Sequence, residues 1–200
     1  MNELMRRRRA LMGQKGDILW EWTPAQGLSN ITLTASIGYS PSYELFPDCI
    51  RLKGPHATDL KQTNIVMSNP PTVPEKFWVE ASIKNFPING TPSNSVGVYL
   101  RGNIVGSVIY GKITGAEAST YRDVIIRGAN TITQKWTSMP TEFEFKMLVD
   151  KSNNSATAYF PNGVILTEAL GGDGYNPWIV SIESRAAGYF DVTRLAIRRA

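Results

Sequence analysis

The sequence predicts an all-β protein, a two-sheet antiparallel jelly-roll sandwich with a short N-terminal helix. Three observations predict it. Apolar residues alternate with polar ones over many short runs, as in strands that bury one face. Gly, Pro, Asn and Ser punctuate those runs, as turns require. No helical periodicity persists beyond the first residues. The chain has 200 residues, of which 42% are hydrophobic and only 19% charged, enough for one sizeable core in one domain.

Residues 1–16 read as a basic helical attachment tag. Asn2 can cap a helix, Glu3 suits its first turn and Gly13 can end it. Leu4 and Met5 recur as Leu11 and Met12, which makes one narrow apolar stripe. Arg6, Arg7, Arg8 and Arg9 stand between them. A helix of about ten residues is marginal alone in water, so the tag is expected either to be disordered or to be ordered only against a partner or its own domain. The run after the arginines is too short for a secretion signal. No segment approaches the roughly 18 apolar residues of a membrane span.

From residue 17 to residue 200 the pattern is that of strands. The candidates are Ile18–Trp22, Ile31–Ile37, Cys49–Lys53, Asn64–Met67, Phe77–Lys84, Val96–Arg101, Ile104–Tyr110, Tyr121–Arg127, Phe143–Val149, Ala156–Phe160, Val164–Ala169, Trp178–Glu183 and Tyr189–Ile197. Gly102-Asn103 signals a tight hairpin. The prolines of Pro70–Pro74 rule out a central strand there. Alternation assigns the faces. Phe77, Val79, Ala81 and Ile83 point one way, with Trp78, Glu80, Ser82 and Lys84 opposite. Phe143, Phe145, Met147 and Val149 are inward, and Glu142, Glu144 and Lys146 outward. Val98, Leu100, Phe160 and Ile182 join the expected core. Phe190 and Val192 are out of phase with Leu195 and Ile197, so a bulge near Thr193-Arg194 is needed to bury all four.

Composition narrows the function. The net charge of +4 comes from 21 basic and 17 acidic residues. The four consecutive arginines account for it; without them the basic residues also number 17. A nucleic-acid-binding domain would spread its excess along a face, so no nucleic-acid partner is expected. One cysteine, Cys49, excludes an intrachain disulfide and a cysteine metal site. A single histidine, His56, leaves no multi-histidine site and argues against a Ser-His-Asp triad.

The strand Glu144-Phe-Lys-Met-Leu-Val-Asp150, the Asn153-Asn154 turn, Ala158-Tyr-Phe-Pro-Asn-Gly163 and the closing Tyr189-Phe-Asp-Val-Thr-Arg-Leu-Ala-Ile197 resemble the concanavalin A-like lectin and glucanase superfamily, including laminin-G-like domains. The resemblance covers residues 17–200 and implies carbohydrate recognition, by a lectin or by a glycosidase or lyase. Glycosidases need two carboxyl groups flanking the cleaved bond. Those of this superfamily commonly carry Glu-x-Asp-x-(x)-Glu on one strand. Here the nearest approach is Glu142-Phe-Glu144, followed by Lys146 and not by a third acid. Glu80, Asp123, Glu183 and Asp191 read as scattered rim or turn acids. A lyase would need Tyr, Arg and His or Lys to converge; Tyr99, Arg101, Tyr121 and Arg122 offer the first two. No catalytic residue is assigned, and the chain is expected not to be an enzyme.

Sugars present apolar C–H faces that Trp and Tyr cover well. Tyr99 and Arg101 share a strand face opposite Val96, Val98 and Leu100. With Tyr110, Tyr121, Trp136 and Trp178, placed at strand ends and loops, they are the candidate carbohydrate-binding residues. Calcium is the one cofactor to weigh. The resemblance implies oxygen ligands, which Asp150, Asn153 and Asp173 offer, although turn chemistry explains the same residues. The start Met1–Met12 is similar to starts of minor structural proteins of tailed phages and prophages. The resulting expectation is a non-catalytic structural or adhesive module of a phage-like particle, a homo-oligomer that binds surface glycan. Other particle subunits would be held through Leu4, Met5, Arg6, Arg7, Arg8, Arg9, Leu11 and Met12. It would reside in the virion, or in the cytoplasm before assembly, with no membrane partner. The alternatives are a polysaccharide-degrading enzyme of the same fold and a ligand-free decoration protein.

Overall fold

A computed structural model describes residues 17–53, 62–69, 71–85, 95–101, 108–115, 122–127, 131–136, 141–160, 163–170, 179–185 and 189–200. The tag of residues 1–16, with its expected helix and docking residues, lies outside them.

One sheet is built on the strand the sequence reads most clearly. β11 (Phe143–Asp150) pairs antiparallel with β6 (Lys76–Lys84) along its whole length, with Phe145 opposite Ala81 and Met147 opposite Val79. On its other side it pairs with β12 (Ser155–Tyr159), which carries β13 (Ile165–Ala169) at the edge. Beyond β6 lie β15 (Tyr189–Arg199), β4 (Ile50–Lys53) and β3 (Ser42–Leu45). β1 (Ile18–Trp22) completes the eight strands by pairing with the second half of β15.

The second sheet has seven strands. Their order is β10 (Thr131–Trp136), β9 (Arg122–Arg127), β8 (Val108–Gly115), β7 (Ser95–Arg101), β14 (Ile179–Arg185), β5 (Gln62–Met67) and β2 (Ile31–Ala35). All pairings in both sheets are antiparallel. A single 3-10 turn, Pro24–Gln26, is the only helical element among the described residues.

The bulge is where the sequence requires it. The register of β15 against β6 shifts between Val192 and Arg194. The extra residue resets the phase, so Phe190, Val192, Leu195 and Ile197 are all buried. It also divides the strand between partners: residues 189–192 pair with β4 and residues 195–198 with β1.

The core is the apolar phase of both sheets. Phe77, Val79, Ala81, Ile83, Phe143, Phe145, Met147 and Val149 are buried together, as expected. Phe160 joins them, with its ring edge-on to Phe145 at 5.4 Å. Trp22 is fully buried, and its indole donates to the Gly27 carbonyl at 2.9 Å. Gly27 takes φ +56, a conformation glycine adopts without strain. For β7 to β10 and β14 the backbone course and register are described. They place Val98 beside Ile182, which lies opposite the buried Ile65, on the phase that faces the core.

Four local expectations need correction. β3 and β10 are strands that the apolar pattern did not announce. β8 runs through Gly115, so Tyr110 stands inside a strand and not at its end. Arg101 pairs with Val108, where a two-residue Gly102-Asn103 turn would have paired it with Ile104. The two registers differ by four residues and keep the same phase, so alternation alone does not choose between them. Glu80 and Asp191 are not rim or turn acids but buried strand residues, and Asp123 and Glu183 also lie within strands.

Candidate ligand-binding face

A two-layer sandwich has two outer faces, and here they differ in kind. The outer phase of the eight-stranded sheet carries an ion network beside an aromatic pair, Trp78 and Tyr159, whose ring centroids stand 5.2 Å apart. Arg194 donates to Glu21 at 2.7 Å and to Glu80 at 2.9 Å. Arg198 Nε lies 2.9 Å from the same Glu80, and Lys146 Nζ lies 3.7 Å from it. Burial alone would lower the Arg194 pKa, but its hydrogen bonds to Glu21 and Glu80 outweigh that and raise it. Glu144 is held by Lys146 at 3.1 Å and Arg194 at 3.7 Å, and Glu142 by Lys84 at 3.8 Å. The Glu142-Phe-Glu144 pair is therefore engaged by cations on a sheet face.

A second cluster sits on the same face. Arg51 grips Asp191 with Nε at 2.8 Å and Nη2 at 3.0 Å, and Asn85 adds a third donor at 2.5 Å. The Arg51 guanidinium also lies over Tyr189 at 4.3 Å and Phe46 at 5.0 Å. Burial would raise the Asp191 carboxyl, yet the Arg51 and Asn85 hydrogen bonds hold it below the ordinary range. Arg51 is raised in turn, first by its hydrogen bond to Asp191. Lys53 pairs with Glu44 at 2.5 Å beside this cluster. These groups satisfy one another and fasten β3, β4, β6 and β15 together.

Asp150, proposed for calcium, is the hub of a turn. Its carboxylate accepts from Ser152 at 2.6 Å, from the Asn153 backbone at 3.2 Å and from Asn153 Nδ2 at 2.8 Å. Lys76 Nζ stands at 3.1 Å. These donors, the Ser152 hydroxyl first, draw its pKa below the usual carboxylate range. A cation here would have to displace a lysine and turn the Asn153 amide around. Among the described residues no cluster of three or more His, Cys, Asp or Glu offers a metal site. Asp173 lies outside the described residues.

The seven-stranded sheet brings sequence-predicted residues together. In register, Tyr99 of β7 lies directly opposite Tyr110 of β8. Tyr110 is opposite Arg127, and Arg127 opposite Thr131. On the other side Tyr99 is opposite Ser181, which continues to Val66 and Thr32. This is one unbroken cross-strand row over all seven strands. It falls on the outer phase, because Ile31, Ile65 and Met67 of the other phase are buried while Thr32 is exposed. The next row of the same phase holds Asn64, Glu183, Gly97, Lys112 and Ile125. Gly97 leaves a position without a side chain between Glu183 and Lys112.

Arg101 shares this phase, one row beyond Tyr99. Trp136 does not. It pairs with Arg122 on the phase of Ile132, which packs against the core. Tyr121 and Trp178 lie outside the described residues. Arg127, Ser181, Lys112 and Glu183 were not singled out as binding residues. Their signal was alternation, with Arg127 following Ile126 and Glu183 following Ile182, but only register shows that they converge.

No protein-family model and no curated protein matches the sequence. The fold does match solved structures. The lectin from Bauhinia forficata in complex with GalNAc superposes with a TM-score of 0.63 at 10% identity, over 90% of this chain and 98% of that one. The potassium-bound Emp46p carbohydrate recognition domain gives 0.64 at 11% identity, over 92% and 95%. Lectin II from Ulex europaeus gives 0.62 at 12% identity, over 92% and 98%. The protein thus shares its two-sheet β-sandwich fold with these lectins. At these identities the likeness defines architecture and leaves the site to be argued from this chain's residues.

Proposed function

We propose that the protein is a non-catalytic carbohydrate-binding module whose binding face is the outer face of the seven-stranded sheet. One observation carries the reading: Tyr99 and Tyr110 are direct cross-strand partners at the centre of that sheet, in a row with Arg127 and Ser181. Two adjacent tyrosines can cover the C–H face of a sugar ring, and flanking polar residues can take its hydroxyls. The opposite sheet also carries an aromatic pair on its outer phase, Trp78 and Tyr159 with ring centroids 5.2 Å apart, but its charged groups are drawn into ion pairs with one another. The fold shared with lectins supports the same reading.

In this reading residues 1–16 attach the module to other subunits of a phage-like particle, where it acts as an adhesive for surface glycan. The arginine run and the stripe of Leu4, Met5, Leu11 and Met12 support that part. The test is a glycan microarray probed with the full chain. Binding that Tyr99→Ala and Tyr110→Ala each abolish, with the thermal melt retained, is the expected result. Turnover of a polysaccharide, or binding untouched by both changes, would overturn it.

A further inference from the structure

We infer that the ligand of this face is an acidic polysaccharide, one bearing carboxylate or sulfate groups along its chain. The inference rests on the proposed binding face and narrows its ligand class. What points to it is the unequal distribution of charge between the two outer faces.

On the eight-stranded sheet the outer charges cancel. Seven basic side chains, from Arg51 to Arg198, all lie within 3.8 Å of a carboxylate. The carboxylates they meet are also seven: Glu21, Glu44, Glu80, Glu142, Glu144, Asp150 and Asp191. These groups leave that face without net charge.

On the seven-stranded sheet the outer phase of the strands carries five basic residues, Arg101, Lys112, Arg127, Lys135 and Arg185. It carries two acidic ones, Asp123 and Glu183. The register fixes these phases: Lys135 lies opposite Asp123, and Arg185 is two residues beyond Glu183. The basic residues are also distributed. Each of the five adjacent strands β10, β9, β8, β7 and β14 contributes one. Neighbouring strands stand about 4.8 Å apart, so the basic positions span the sheet and do not gather at one point. A spread of positive charge suits a polymer with a negative group in successive units. A single neutral sugar would have no use for it. Guanidinium groups bind carboxylate and sulfate through paired hydrogen bonds, and the excess charge steers the polymer to the face. The tyrosine pair at the centre distinguishes a sugar chain from a bare polyanion.

The experiment measures binding of the full chain to four immobilised polymers over a range of salt: polygalacturonate, dextran sulfate, neutral dextran and a single-stranded oligonucleotide. Binding to polygalacturonate or dextran sulfate, weakening as salt rises, is expected, and which one binds names the anionic group. Arg127→Gln and Lys112→Gln should each weaken it by about tenfold, the loss of one charged hydrogen-bonding partner. Lys84→Gln, on the eight-stranded sheet, should change it by less than about twofold. Lys135→Gln, on the edge strand, replaces Arg127→Gln if that variant does not fold. Neutral dextran bound as tightly, without salt dependence, would overturn the acidic class and leave the carbohydrate reading standing. No binding to any of the three polysaccharides would overturn the acidic class, and the glycan microarray then decides the carbohydrate reading by itself. An oligonucleotide bound more tightly than either acidic polysaccharide would overturn the inference in favour of nucleic acid.

Discussion

Replacing Phe145 with Ala removes the side chain on which the eight-stranded sheet and the core most visibly depend. Phe145 is 3% exposed, lies opposite Ala81 in register and meets the Phe160 ring at 5.4 Å. Ala81, its register partner, has nothing to extend into the space it would leave. Truncation of a buried phenylalanine costs about 3–5 kcal/mol from lost transfer energy and residual cavity. The broken aromatic pair adds about 0.5–1.5 kcal/mol, so the upper half of that range is expected. A domain's whole stability is about 5–15 kcal/mol, so most of it could go. Glu144 is the control. It is the adjacent residue on the opposite face, its side chain is 41% exposed, and its partners are Lys146 and Arg194. Glu144→Ala should cost about 0.5 kcal/mol or less. Urea melts followed by tryptophan fluorescence measure both, with equal slopes confirming a common unfolding transition. Equal costs, or a larger cost at Glu144, would refute the assigned faces of β11 and the core built on them.

Asp191→Ala should cost about 1–3 kcal/mol in the same melts, because it leaves the half-buried Arg51 guanidinium and the Asn85 amide without the carboxylate they donate to. The depressed carboxyls of Asp150 and Asp191 set an acid limit. Their contribution is fully present above the unfolded value of about 3.9 and is lost as pH falls below it toward their folded values. A melting temperature flat from neutral pH to about pH 5 and falling steeply below pH 4 is expected; double substitution to Asn should flatten that fall. The Cys49 thiol is pushed up to about 11, first by burial and then by Asp191, so it should react with a thiol reagent only as the protein unfolds. Rapid labelling of the native protein would contradict its placement. Millimolar calcium should leave the melting temperature unchanged, because Lys76, Ser152 and Asn153 already occupy the Asp150 oxygens. A rise of several degrees that Asp150→Asn abolishes would contradict this reading of Asp150.

Much of the fold was legible because burial imposes period two on each strand separately. Phe143, Phe145, Met147 and Val149 show it in four consecutive pairs of residues. The broken phase at Thr193 shows that a bulge must exist. β3 escaped notice because Ser42-Tyr-Glu-Leu45 is a short edge strand between Pro41 and Pro47, with three of its four residues exposed. β10 escaped because Thr131-Ile-Thr-Gln-Lys-Trp136 is an edge strand with few apolar residues. The candidate face was only half legible. Alternation places Tyr99 and Arg101 on one phase. It cannot place Tyr110 against Tyr99, or bring β14 between β7 and β5, since those are facts of long-range register. The same limit applies to Trp136, whose place on the phase of Ile132 only register shows.

The central claim is that ligand binds the outer face of the seven-stranded sheet, and backbone amide NMR on the labelled full chain tests it most directly. Titration with an oligosaccharide of whichever polymer binds should move the resonances of Tyr99, Tyr110, Arg127 and Ser181 first, with Lys112 and Glu183 close behind. Resonances of Arg51, Glu80, Glu144 and Arg194 should stay in place. Shifts confined to the eight-stranded sheet would contradict the account.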